Sequence, residues 1–263
     1  MSSATRSALM ITRQHFPHLG LELPAGLMAD LAEIDRVFAN RDVFDSSRRS
    51  LAEAVANAMA AGKDPAADKT VISCLAREQM RLMNVGNELS DLAEDRRADA
   101  LRSHVDAIFE LLSGTVERAD ETLAEVRERI PGLDLKDEDI VRTLAPEQMA
   151  LWGRAREALA HVERVAQIWG LLVFACGLGA LPPHRRPLVI AELSLSELNA
   201  LGHQPVATAA VHAGHRLSLA TPDTFAERLA RLEDDRNYEA SQGERDFAAA
   251  ARLRYGSGAA LVV

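Results

Sequence analysis

Apolar residues recur at three- and four-residue spacing along most of the chain, and that spacing predicts helices. Leu27, Leu31, Ile34 and Phe38 mark a first helix over 25–39. A second begins near Ser46–Ser50 and closes at Ala61-Gly62, with Gly62 as its glycine stop. From Ala66 to Ile130 there is no proline, one aromatic (Phe109) and two glycines, Gly86 and Gly114. Asp64 and Pro65 supply an N-cap and a first-turn proline, and Pro131 ends the run. A single helix of that length would reach roughly 100 Å. A compact chain of this size has a radius of gyration of roughly 18 Å. The pattern therefore predicts a rod that bends, breaks or pairs with another chain.

Two stripes run along this stretch. The first is Val71, Leu75, Glu78, Leu82, Val85, Leu89 and Leu92; the second is Leu101, Val105, Ile108, Leu112, Thr115, Ala119, Leu123, Val126 and Ile130. Both have the spacing of a coiled-coil seam. Their phase slips across Glu94-Asp95-Arg96-Arg97, which reads as a stutter or a hairpin corner. Asn84-Val85-Gly86-Asn87 is a second place for a break. The stripe crosses it in register, so continuity is expected there despite a glycine cost of about 1 kcal/mol. The seam residues Leu101, Val105, Ile108, Leu112, Leu123 and Val126 are the candidate interface, facing a second copy or another protein. Glu94/Arg97, Asp99/Arg102 and Glu125/Arg129 are placed for local ion pairs.

Residues 131–145 read as a connector with a solvated acidic patch, Asp137-Glu138-Asp139. Pro146-Glu147 opens a strong helix whose stripe includes Trp152, Leu159, Val162, Trp169 and Cys176. Its end, Ile168–Leu181, carries no charge over fourteen residues. That is short of the ~20 a membrane span needs, so burial in protein is expected, with Gly177 and Gly179 as terminators. Beyond Pro187, the run 188–195 fits a strand or part of a helix. Ser194 and Glu197 make an S-x-x-E capping box, and Thr221-Pro222 starts another helix. Gly243 separates a last helix over 244–255.

The domain reading is a mobile tail over 1–23, an elongated helical bundle or coiled coil over 24–186, and a small helical subdomain over 187–263. Residues 1–21 contain no acid, with Arg6 and Arg13 as their only charges besides the terminus. The fold class is mainly α: a long helix or coiled-coil hairpin packed against a second long helix, with the C-terminal subdomain beside it.

Composition supports this. The chain is 48% hydrophobic but only 4% aromatic, a balance that suits closely packed Ala- and Leu-rich helices. The net charge of -9, with no basic block, argues against nucleic acid as a partner. Cys74 and Cys176 form no CxxC pair, which fits buried, reduced thiols in a cytoplasmic protein.

Candidate chemistry is sparse. His15/His18 and His212/His215 have HxxH spacing, but neither has the glutamate of HExxH or a cysteine cluster beside it. Gly177-Leu-Gly179 lacks the lysine and hydroxyl of a phosphate loop. Trp152 and Trp169 lie on a helical stripe and read as core. No catalytic, metal or cofactor residue is assigned. The functional expectation is a non-enzymatic structural or assembly protein acting through helical self-association or partner binding. The alternative is a helical ligand-binding or enzyme domain with a pocket between the 146–176 helix and the C-terminal subdomain.

Overall fold

A computed structural model describes residues 2–39, 49–131, 135, 139–179, 181–182, 185–201 and 206–255. Among these residues there are eleven α-helices and no strand. They fall into two compact units, Met1–Ile108 with Phe174–Gly177, and Phe109–Val173 with Leu178–Val263.

In the first unit, α1 (Ser2–His15) replaces the expected tail. Its buried side is Thr5, Ala8, Leu9 and Thr12, followed by Phe16 and then Leu19 in a 3-10 turn. Two threonines in that stripe hide it from a hydrophobic scan; Thr12 satisfies its hydroxyl internally by donating to the Ala8 carbonyl at 2.7 Å. Burying a Leu or Phe is worth about 1.5–3 kcal/mol each, enough to hold one short helix in place. α2 (Ala25–Val37) buries Leu27, Leu31 and Ile34 as their spacing predicts. α3 (Arg49–Ala60) ends at Gly62, which sits at φ 69° while Lys63 N donates to the Ala58 carbonyl. This is the left-handed stop that glycine tolerates without strain.

The long run from 66 to 130 is three helices: α4 (Lys69–Leu82), α5 (Val85–Ser103) and α6 (Val105–Arg129). The expected breaks are reversed. α5 passes without interruption through Glu94–Arg97, and the chain breaks at Asn84, where the apolar stripe runs in register. Asn84 has φ 62°, a left-handed conformation that asparagine adopts more readily than most residues. Its N–H closes α4 on Arg81, and its carbonyl and side chain receive Glu88 N and Asn87 Nδ2 at the start of α5. The expected capping residue also moves. Asp64 accepts from Ala66 N in a turn, and the N-cap is Asp68, which accepts from Thr70 N and Val71 N.

The charged Glu94–Arg97 segment is the reason α5 stays whole, because it ties down its neighbours. Glu94 accepts from Arg6 of α1, Arg97 binds Asp35 of α2 at 2.6 Å, and the Arg96 guanidinium lies over the Phe38 ring. At the next break, His104 binds Asp30 of α2 at 2.8 Å. Gly26 lets α2 come that close: a Cβ there would stand 2.6 Å from the His104 ring.

The second unit holds most of α6 and α7 (Pro146–Ala175) with α8 (Pro187–Ile190), α9 (Leu195–Leu201), α10 (Val206–His212) and α11 (Pro222–Tyr255). The described residues beyond Leu178 group with 109–173 in this unit. Long-range hydrogen bonds explain the union. Asp120 on α6 accepts from Leu217 N, Glu163 on α7 accepts from Ala207 N, and Trp169 Nε1 donates to the Ala220 carbonyl. The run after Pro187 is the single turn α8, wholly buried, whose end carbonyls receive Ser218 N and Ala220 N. Buried Arg228 donates to the Leu188 carbonyl and to Ser218, and desolvation lowers its pKa.

The capping box stands as its spacing predicts, with Ser194 N donating to Glu197 Oε2 and Glu197 N to Ser194 Oγ. Those bonds hold the Glu197 carboxyl below its ordinary pKa. Thr221 caps α11, but that helix continues through Gly243 to Tyr255. Every residue from Glu233 to Ser241 is exposed. α7 is long and apolar enough, by length and composition alone, to cross a membrane; half of its most apolar window is buried. Ile168, Trp169, Leu172 and Val173 are buried, Phe174 and Leu178 are exposed, and Gly177 at φ 71° ends the segment.

Candidate functional site

Of the six seam residues, Leu101 lies on α5 and the other five on α6. Leu101, Val105 and Ile108 belong to the first unit, and Leu112, Leu123 and Val126 to the second. None is more than 8% exposed. An a/d seam is satisfied equally well by helices of the same chain or of another, so its spacing could not distinguish core from interface. These side chains are core of the chain itself.

The N-terminal stripe behaves in the opposite way. Of its seven residues only Val71 is fully buried. Val71 and half-buried Cys74 pack with Ala54, Ala58, Leu51 and Val55 of α3. About 70° around α4, Ile72, Leu75, Leu82 and the following Met83 are exposed at 50%, 47%, 65% and 72%. Ile72, Leu75, Gln79 and Leu82 follow 3-4-3 spacing, so α4 carries two apolar lines and only one is used inside the chain. Met80 on α4, Met59 on α3 and Leu92 on α5 are also exposed.

A second feature of the first unit is a cleft of about 470 Å³ between α1, α2 and α5. Its walls include buried Leu9 and Leu31, with exposed Met10 at the side. Glu94 contributes to its lining and is 6% exposed. Oε1 of Glu94 accepts from Arg6 and from Arg97, both at 2.8 Å. Its Oε2 is buried with no hydrogen-bond partner. An unsatisfied buried acceptor of this kind costs about 1–3 kcal/mol, more when charged. The Asp35 carboxylate raises the Arg97 pKa by accepting from it. Arg13 also lines the cleft, exposed and with no ion-pair partner among the described residues. Threonines in the buried stripe of α1 hide this site from the apolar pattern; its sequence signal is the Thr5, Ala8, Thr12, Phe16 periodicity.

Elsewhere the sequence candidates serve structure. Trp169 is fully buried against Phe109 and Phe225, with ring centroids at 6.3 and 4.9 Å. Trp152 is half-buried under the Arg156 guanidinium. The His15 and His18 rings are tilted against each other with centroids 6.5 Å apart, and His215 lies 3.7 Å from Glu197. The His212 side chain, Asp137 and Glu138 lie outside the described residues. Among the described residues no three His, Cys, Asp or Glu side chains converge as metal ligands. Cys74 and Cys176 are free thiols. Comparison of the chain with protein-family models, with curated proteins and with solved structures gives no match.

Proposed function

We propose that this is a non-enzymatic assembly protein of the cytoplasm, and that it self-associates through the outer face of α4. The observation that carries the reading is the second apolar line, Ile72, Leu75, Leu82 and Met83, left in water. Exposed apolar residues scattered singly need no explanation, but Ile72, Leu75 and Leu82 along one side of a single helix do. The line has the spacing of a helix–helix seam, and a second copy offers the same line in return. Gln79 sits inside it, where a polar residue sets register at some cost in strength. One helix of 14 residues presents less surface than the ~800 Å² per partner of a standard interface. A weak, concentration-dependent dimer is therefore expected, with Met59 or Leu92 widening the contact.

Sedimentation velocity across a dilution series tests this. The expected result is a dimer at high concentration that dissociates on dilution. The double substitution Leu75→Asp, Leu82→Asp should give a monomer throughout with an unchanged circular dichroism spectrum, since both positions are exposed. A chain that stays monomeric at every concentration, or a double variant that still dimerises, overturns the proposal.

A further inference from the structure

The geometry points to the α1–α2–α5 cleft as a binding site for a small zwitterion with an aliphatic body, an amino acid or short peptide. This stands apart from self-association, since it uses a different face and different residues.

Two spare groups define the ligand. Glu94 Oε2 is a buried acceptor without a donor, and Arg13 is a guanidinium without a carboxylate. Glu94 is more than nine-tenths buried, so its free oxygen is part of a built site rather than of a solvated rim. An ammonium or amide N–H satisfies that oxygen with a charge-assisted bond. A bare cation is a poor fit, because Arg6, Arg13 and Arg97 outnumber Asp35 and Glu94 in the lining. A bare anion suits Arg13 but leaves Glu94 unsatisfied and repelled. A molecule with both ends answers both groups. In the same lining, Leu9, Leu31 and Met10 supply apolar surface for an aliphatic side chain. The cleft volume of about 470 Å³ lies within the usual range for small-molecule sites.

Isothermal titration calorimetry of the full chain provides the test, with L-leucine and leucylleucine as the free amino acid and peptide probes. Isovalerate and isoamylamine carry the anionic and cationic halves alone. At least one zwitterion should bind at millimolar concentration or below, each half at least about tenfold more weakly. Which zwitterion binds tells the two sources apart. Arg13→Gln, at an exposed position, should weaken binding about tenfold and leave the melting temperature unchanged. Glu94→Gln should weaken the zwitterion and spare isovalerate. Absence of binding by both zwitterions overturns the inference. So does isovalerate binding as tightly as the zwitterions, or binding indifferent to Arg13→Gln. None of these outcomes depends on whether the chain dimerises.

Discussion

The indole N–H of Trp169 donates to the carbonyl of Ala220 at 2.7 Å, joining positions 51 residues apart. Both residues are buried, so no water replaces the donor if the indole is lost. Trp169→Phe keeps an aromatic ring against Phe109 and Phe225 but leaves the Ala220 carbonyl unpaired. We expect a loss of at least about 1–3 kcal/mol, read as a lower urea midpoint with an unchanged slope. An unchanged midpoint would show that this bond is not holding the 215–220 segment.

Leu112 and Leu75 separate core from surface. Leu112 is 0% exposed and Leu75 47%. Leu112→Asp places an unpaired charge in the core and should unfold the chain or cost several kcal/mol. Leu75→Asp should move the melting temperature by little, within about 0.5 kcal/mol of stability at a dilution where the chain is monomeric. Circular dichroism melts of both variants read the difference.

Asn84 offers a test of the α4–α5 break. At φ 62° a β-carbon is strained, more so for alanine than for asparagine. Asn84→Ala should destabilise by roughly 1–2 kcal/mol, while Asn84→Gly should stay close to the parent because glycine accepts the conformation. Equal stability of the two variants would mean the left-handed turn is not maintained in solution.

Cys176 links stability to pH. Burial pushes its thiol up from 9.0 to about 11, against a smaller opposing pull from Arg102. The folded chain then holds the proton to higher pH than the unfolded chain does. The contribution to stability is complete below about pH 9 and is lost as pH rises through about 11. Unfolding midpoints from neutral pH to about pH 11 should fall more steeply for the parent than for Cys176→Ala. In the native state at neutral pH the thiol should resist alkylation until the chain unfolds.

Local signals in the sequence were legible where a few adjacent residues determine the outcome. The Gly62 stop, the Ser194–Glu197 box, the Thr221 start and the α2 stripe all depend on groups within one turn of one another. What was not legible depends on distant partners. Glu94–Arg97 looks like a discontinuity until Arg6, Asp35 and Phe38 are brought to it. Leu112 and Leu75 occupy equivalent seam positions, and only the neighbouring helices decide which is covered. The Asn84 break was hidden by apolar residues in register on both sides, because periodicity records side-chain type and not backbone φ. The cleft escaped notice for the same reason as α1: threonines carry part of its buried stripe.

The outer length of α11 has a kinetic consequence. Past Leu232 its residues through Ser241 are all exposed, so their amides are guarded mainly by the helix's own hydrogen bonds. An unsupported helix opens on the helix–coil timescale and without waiting for the rest of the molecule. Amide exchange over 233–241 should therefore approach that of a free peptide, while Phe225 to Leu232 exchange orders of magnitude more slowly. A protease should nick this length first, at Arg236, and the shortened chain should keep its cooperative melt. The length from Glu233 to Ser241 would then be a part of the protein whose order rests on its own helix and on no core, lost without cost to what lies before Leu232.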